Sequence, residues 1–222
     1  MAALNLFQES ERDHEVRLCQ KAWEIFSIAG ATVDDLVKTV RNGGGRSTGK
    51  RAYVTVFFCD LCGSTSLMAE VDGESYIEML EQLRSACTRV VTRFGGNIAQ
   101  LYGDGTLALF PGANGVERAV DAALALNDAV KLLSVPRGAS ARSLQLHSGI
   151  HSGLVQLRPG DPARGTIEAV GRTTAVAARL SAAARPNEIL VSSGSLGPVR
   201  DVLTVGPARH VDISDGADPI AA

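Results

Sequence analysis

The order of strand-like and helix-like segments after residue 52 is the feature that most constrains the fold. Residues 53–58 (YVTVFF) are β-branched and aromatic, which predicts a buried strand. Residues 74–94 carry apolar side chains at helical spacing, Ile77 among them, which predicts an amphipathic helix. Residues 97–110 form two short strand-like runs around Gly-Asp-Gly, which predicts a hairpin. A strand, a helix and a hairpin in this order make the first part of a split βαβ unit.

The second part of the pattern continues with helices and strands. Residues 114–133 predict another amphipathic helix, residues 144–157 a strand pair, residues 173–184 an alanine-rich helix and residues 188–192 a closing strand. The whole order is β-α-β-β-α-β with additions. We therefore predict an α+β fold, a ferredoxin-like sheet with helices on one face.

The residues before the first strand have a different pattern. Residues 10–41 repeat apolar positions at helical spacing with one break, which predicts a helical N-terminal segment over residues 1–41. Residues 42–51 (NGGGRSTGKR) are Gly-rich and basic and contain no apolar side chain, which predicts a linker. Residues 52–222 remain as one predicted domain, since a chain of 222 residues can bury one full-size core.

Charge and hydropathy exclude several kinds of partner. The formal net charge is −2, which provides no basic face for nucleic acid or for an anionic membrane. The apolar runs are far shorter than the roughly 20 residues of a membrane-spanning helix. The N-terminus is polar and acidic where a signal peptide would be apolar. We therefore expect no nucleic-acid partner, no membrane partner and a cytoplasmic location.

Two aspartates stand where predicted elements end. Asp60 follows the first strand, Asp104 lies at the hairpin tip, and the βαββ order allows a strand end and a hairpin tip to lie side by side. Adjacent carboxylates repel each other, and a divalent cation between them removes the repulsion. Residues 63–65 (GST) begin a helix just beyond Asp60, where backbone N–H groups favour phosphate. The same aspartates could instead be a helix N-cap and a turn residue, and residue type alone leaves both interpretations open.

Four stretches together resemble the catalytic domain of the bacterial class III nucleotidyl cyclases, the adenylyl and guanylyl cyclases. They are VTVFFCDLCGSTSL, FGGNIAQLYGDGTLALF, LHSGIHSGLV and EAVGRTTAVAARLSAAARPNEILVS. The resemblance covers about residues 51–195, and its most specific part is Asp-x-x-Gly-Ser-Thr followed by Gly-Asp-Gly at this separation. It implies an enzyme that converts a nucleoside triphosphate into a 3′,5′-cyclic nucleotide and pyrophosphate.

The resemblance also implies the residues of the site. Asp60 and Asp104 would hold two divalent cations, Mg²⁺ or Mn²⁺, together with the backbone carbonyl of Leu61. Arg179 would stabilise the pentavalent phosphorus from the second chain of a homodimer with shared active sites. The β- and γ-phosphates would be bound by the backbone N–H groups of Cys62, Gly63, Ser64 and Thr65.

Three parts of the expected site depart from the family pattern. Ala175 stands where the family has an asparagine that orients the ribose, and Asp215 stands, on a loose alignment, where a triphosphate-binding lysine is common. Gln100 and Glu168 occupy the base-selecting positions and match no standard pair. We expect ATP as substrate, with GTP or a pyrimidine nucleotide as alternatives. The departures also support a second hypothesis, a degenerate regulatory module that binds nucleotide or metal with little or no turnover.

Overall fold

The computed structural model describes residues 50–140, 143–159, 167–197, 203–212 and 220–222. The predicted helices within residues 1–41 and the position of Asp215 lie outside these ranges. The first strand begins at Lys50, so the last two residues of the predicted linker belong to the sheet. They do so because Lys50 and Arg51 pair with a neighbouring strand.

The described residues form both helices and strands. In chain order these are β1 Lys50–Leu61, α1 Ser64–Glu70, α2 Gly73–Arg93, β2 Asn97–Tyr102, β3 Gly105–Pro111, α3 Gly115–Lys131, β4 Leu146–Pro159, β5 Ile167–Val170, α4 Arg172–Ala183, β6 Ile189–Val191, α5 Ser193–Leu196, β7 His210–Val211 and β8 Ile220–Ala221. No helix in this part of the chain combines the length and the apolar character needed to cross a membrane.

A six-stranded sheet forms the centre of the fold. Its strand order is β2-β3-β1-β4-β5, with β6 beside β4. Strands that neighbour each other along this path are antiparallel, and β6 is parallel to β4. The order β2-β3-β1-β4 with two long helices on one face is the ferredoxin-like arrangement. The predicted α+β fold is therefore confirmed.

Helices α2 and α3 cover one face of the sheet. Side chains of a strand alternate between its faces, and Phe57 and Cys59 of β1 point toward these helices. There they join Leu83 of α2 and Leu126 of α3 in the largest part of the core. Helix α2 is capped by Asp72, whose side chain accepts a hydrogen bond from the backbone N–H of Ser75 in the first turn.

Helix α4 packs on the opposite face, which adds a third layer to the predicted arrangement. Val54 and Val56 of β1 point to this face and pack in one cluster with Ala177 of α4. The helix approaches β4 closely, because a Cβ at Gly149 would overlap the carbonyl oxygen of Ala177. Strand β4 is a single strand of 14 residues, so the predicted strand pair is wrong. Its glycines make room for a helix and do not form a turn.

Arg118 joins three segments at one end of the sheet. Its Nη1 donates to the carbonyl oxygen of Gly95 at 2.9 Å, and its Nε donates to that of Asn114 at 3.4 Å. Its Nη2 donates to the carbonyl oxygen of Pro111. One guanidinium therefore ties the end of α2 to the end of β3 and the start of α3.

Replacing Arg118 by Met should lower the free energy of unfolding by about 2 kcal/mol, because three carbonyl groups lose a charged donor while the aliphatic stem is retained. Urea denaturation measures the change. The matched control is Arg137→Met, at an exposed arginine in a turn, which should stay within about 0.5 kcal/mol of the parent protein. Equal losses for the two variants would contradict the role of Arg118 as a tie.

Candidate active site

The two aspartates predicted to share a site lie side by side. Strand β1 pairs directly with β3, so Asp60 near the end of β1 lies next to the turn between β2 and β3 that contains Asp104. A Cβ built on Gly105 would lie 3.3 Å from Oδ1 of Asp60, which shows how closely the turn approaches. The turn depends on Gly103, whose φ of 63° is in the left-handed region.

The carboxyl group of Asp104 perturbs that of Asp60. Burial first, and then the hydrogen bond and the charge of Asp104, raise the pKa of Asp60 from its ordinary value of 3.8 to about 7. Oδ2 of Asp104 is buried without a hydrogen-bond partner. A divalent cation would satisfy that oxygen and remove the repulsion of the pair. The residues present therefore fit a divalent metal ion.

Within the described part of the chain, further ligands would have to come from groups other than acidic, histidine or cysteine side chains. Among the residues that the structure describes, no three such side chains are arranged to hold a metal ion. The backbone carbonyl of Leu61, water and triphosphate oxygens are the ligands left for this purpose, and substrate oxygens commonly complete Mg²⁺ sites. The alternative N-cap role of Asp60 does not apply, because Gly63 occupies the N-cap of α1 and no side chain caps that helix.

The predicted phosphate-binding loop follows β1 directly. Gly63 has a φ of 68°, and Ser64 is the first residue of α1. The backbone N–H of Cys62 donates to the carbonyl oxygen of Gln145 at 2.9 Å. The N–H group of Cys62 is therefore not free to bind phosphate. The N–H groups of residues 63–65 remain as the expected phosphate donors.

The two positions predicted to select the base, Gln100 and Glu168, come close together although β2 and β5 lie at opposite ends of the sheet. Oε1 of Gln100 accepts a hydrogen bond from the backbone N–H of Ala169 at 3.2 Å. A backbone N–H only donates, so the amide oxygen of Gln100 must face it and the NH₂ group must point elsewhere. Glu168 forms an ion pair with Nη2 of Arg158 at 3.2 Å. A register shift in β2 between Ile98 and Gln100 accompanies this placement.

Arg179 and Ala175 lie on the exposed face of α4, one helical turn apart. The opposite face of α4 packs on the sheet that carries Asp60. Arg179 is therefore exposed, on the face of α4 opposite its buried residues. The buried face consists of Thr173, Val176, Ala177, Leu180 and Ser181.

Comparison with known families identifies this arrangement. Residues 48–204 match the adenylate and guanylate cyclase catalytic domain. The chain belongs to this family. The match includes β1, the hairpin and α4, which are the elements that carry the two aspartates and Arg179.

Relatives of the cyclase domain occur in longer bacterial proteins. An uncharacterised protein of Rhizobium meliloti (strain 1021) is 35% identical over 156 residues, which cover 67% of this chain and 15% of that protein. An uncharacterised protein of Mycobacterium tuberculosis (strain ATCC 25618 / H37Rv) is 31% identical over 199 residues, which cover 86% of this chain and 47% of that protein. The chain thus spans less than half the length of either relative.

Solved cyclases share the fold of the domain. The guanylyl cyclase Cya2 superposes with a TM-score of 0.69 at 26% identity, covering 78% of this chain and 91% of that chain. The adenylyl cyclase CyaB from P. aeruginosa superposes with a TM-score of 0.64 at 23% identity, covering 79% and 94%. The cyclase domain is therefore of the adenylyl and guanylyl type in both sequence and fold.

His147 is a neighbour of the cyclase site that the sequence did not single out. It pairs with Asp60 in the register between β1 and β4. Oγ of Ser181 lies 3.0 Å from the carbonyl oxygen of His147, to which it donates, and 3.1 Å from Nδ1 of His147. A hydroxyl has one hydrogen, so Nδ1 carries the proton and Nε2 is the acceptor. Burial lowers the pKa of His147, although the charge of Asp104 opposes this, which favours the neutral ring.

Proposed function

We propose that this cyclase domain converts ATP into 3′,5′-cyclic AMP and pyrophosphate, in a homodimer whose active sites lie between the two chains. The observation that carries the proposal is the Asp60–Asp104 pair, in which the pKa of Asp60 is raised to about 7 and a buried oxygen of Asp104 has no partner. Two Mg²⁺ or Mn²⁺ ions, when bound there, neutralise charge and lower the pKa of the ribose 3′-hydroxyl.

The chain's own groups bind and orient the triphosphate. The backbone N–H groups of residues 63–65 donate to the β- and γ-phosphates, which favours their negative charge at this turn. Arg179 of a second chain donates to the oxygens around the reacting phosphorus. A guanidinium suits this task because several of its N–H groups meet the spreading negative charge. We assign Arg179 to a second chain because it is exposed, on the face of α4 opposite the residues that pack against its own chain.

The orientation of Gln100 supports adenine as the base. Its oxygen is held by the Ala169 N–H, so its NH₂ group is the part left to donate to a base. Glu168 offers only acceptors. Adenine presents an acceptor, N1, beside the 6-amino donor. The NH₂ donor of Gln100 and the carboxylate acceptor of Glu168 match this edge. Cytosine presents a similar pair on a smaller ring, and guanine presents one acceptor and two donors, so CTP and GTP are the alternatives.

The test is to incubate the purified protein with each of the four ribonucleoside triphosphates and Mn²⁺. Cyclic products and pyrophosphate are measured by mass spectrometry. We expect 3′,5′-cyclic AMP from ATP, at a rate above that from the other nucleotides. A dimeric protein that forms no cyclic product from any of the four would overturn the proposal.

A regulatory module that binds nucleotide or metal with little turnover is the second candidate. One specific observation favours it: position 175, on the exposed face of α4 beside Arg179, carries a methyl group that cannot bond a ribose hydroxyl. Losing one orienting group costs about a hundredfold or more in rate. The two candidates therefore differ in how they respond to restoration of this group.

Ala175→Asn should raise turnover of a slow cyclase by about tenfold or more, because it places an amide on the same helix face as Arg179, one turn away. Since Ala175 is exposed, the stability cost should stay within about 1 kcal/mol by helix propensity. The rate with ATP and Mn²⁺ is compared with that of Ala182→Asn, a control that places an amide at similar spacing on the other, C-terminal side of Arg179 and should give no gain. A stable, dimeric Ala175→Asn protein without any gain would favour the module.

A further inference from the structure

Helix α2 carries a charged residue beside the turn that contains Asp104. Nη2 of Arg84 donates to the carbonyl oxygen of Gly103 at 2.8 Å. Gly103 immediately precedes Asp104 in the two-residue turn between β2 and β3. Arg84 is thus bonded to the main chain of the turn, one residue from the carboxylate that is proposed to bind metal.

Two buried atoms in this region lack hydrogen-bond partners and are complementary. Nε of Arg84 is a buried donor without a partner, and Oδ2 of Asp104 is a buried acceptor without one. Their residues are already connected through the bond to Gly103. A buried donor and a buried acceptor each cost free energy when unpaired.

Tyr76 of α2 lies within the same electrostatic neighbourhood. Burial first, and then the charges of Asp104 and Asp60, raise the pKa of Tyr76, whereas the charge of Arg84 lowers it. The phenol of Tyr76 therefore interacts electrostatically with the two carboxylates and with the guanidinium.

We propose that Arg84 is a positioning residue, which holds the Gly103 carbonyl so that the carboxylate of Asp104 stays beside Asp60 and the pair binds a divalent cation. The inference rests on the proposed function. The physical reason is that two adjacent carboxylates repel, and the turn lies beyond the last pair between β1 and β3, Cys59 with Thr106. The bond from Arg84 to the Gly103 carbonyl is an additional contact that retains the turn. Partners behind a metal ligand typically change metal affinity by about 10–100-fold.

The experiment measures Mn²⁺ binding without nucleotide, by electron paramagnetic resonance of the free ion. Arg84→Met, which removes every donor, should weaken binding by about tenfold or more. Arg84→Lys, which keeps a cationic donor, should stay within about threefold of the parent protein. The matched control is Arg89→Met, at an exposed arginine on the same helix, and it should bind as the parent does. In assays of turnover, Arg84→Met should raise the Mn²⁺ concentration for half-maximal rate and leave KM for ATP within about twofold.

The outcomes separate this inference from the proposed function. A parent protein that forms no cyclic product would overturn the proposed function and this inference with it, whereas one that forms cyclic AMP but binds no Mn²⁺ without nucleotide would overturn the inference alone. An Arg84→Met protein that binds Mn²⁺ as tightly as the parent does would overturn the inference alone. If thermal unfolding shows that Arg84→Met does not fold, Arg84→Gln takes its place, because glutamine keeps a neutral donor. It should show a loss of about threefold or more, and affinity equal to that of the parent would again overturn the inference.

Discussion

Asp60→Asn and Asp104→Asn should each lower cyclase turnover by about a thousandfold or more and weaken Mn²⁺ binding, because a neutral amide cannot balance the charge of a divalent cation. Turnover with ATP and calorimetric Mn²⁺ titration measure the two effects. The matched control is Asp121→Asn, at an exposed aspartate of α3, which should keep full activity. A fully active Asp60→Asn or Asp104→Asn protein would remove that carboxylate from the mechanism.

The same substitution at Asp60 should have the opposite effect on stability. The pKa of Asp60 is about 7 in the folded chain against an ordinary value of 3.8, so the folded state binds more protons between these pH values. The free energy of unfolding of the parent protein therefore falls as pH rises from about 4 to about 7. Asparagine does not titrate. In the absence of metal, Asp60→Asn should be more stable than the parent by about 1–2 kcal/mol at pH 8, a value reduced because the carboxyl is partly exposed. Urea denaturation at pH 4 and pH 8 should show this difference only at pH 8.

The proximity of Asp60 and Asp104 could be predicted because it depends on residue type and on the order of elements, which can be recognised in the sequence. Strand and helix periods indicated the order of elements, and that order makes β1 and β3 neighbours in the sheet. The end of one strand and the tip of the next hairpin then fall at the same edge. Residue type and element order were sufficient for this part of the site.

Features that depend on packing between distant elements were not predictable. Residues 144–157 were predicted to form a strand pair, whereas residues 146–159 form one strand, in which Gly149 and Gly153 provide the space that α4 needs. Ile77 was expected on the buried face of its helix and is 59% exposed, while Met79 is buried there. Helical spacing shows which residues share a face, but it shows less well where the buried stripe ends.

Neighbours and hydrogen-bond partners on different strands also could not be predicted from the sequence. The position of His147 beside Asp60 follows from the register between β1 and β4, and a shift of one residue would move it to the other face. The backbone N–H of Cys62 was expected to bind phosphate and instead bonds Gln145, which lies 83 residues further along the chain. Such details depend on tertiary placement, because each joins segments that are far apart in sequence.

The proposal that two chains share each active site has its strictest test in mixed dimers. Asp104→Asn and Arg179→Ala homodimers should both be inactive, since every site in them lacks either a metal ligand or the arginine. A dimer with one chain of each kind has one site with both defects and one intact site. Random mixing in equal amounts makes half of the dimers mixed.

The mixture should therefore recover about a quarter of the parent activity per chain, because about half of the dimers carry one working site out of two. Turnover is measured after the two proteins are unfolded together and refolded, with different affinity tags to quantify the mixed dimers.

The control pairs Asp104→Asn with Asp60→Asn, two defects in the same half of the site. Those mixed dimers have no intact site and should stay inactive. If activity recovers in the first mixture and not in the control mixture, the aspartates and Arg179 lie on opposite sides of a dimer interface. The first mixture could instead stay inactive although mixed dimers form. In that case Arg179 does not act in the active site of the partner chain, and the proposal of a shared site is wrong.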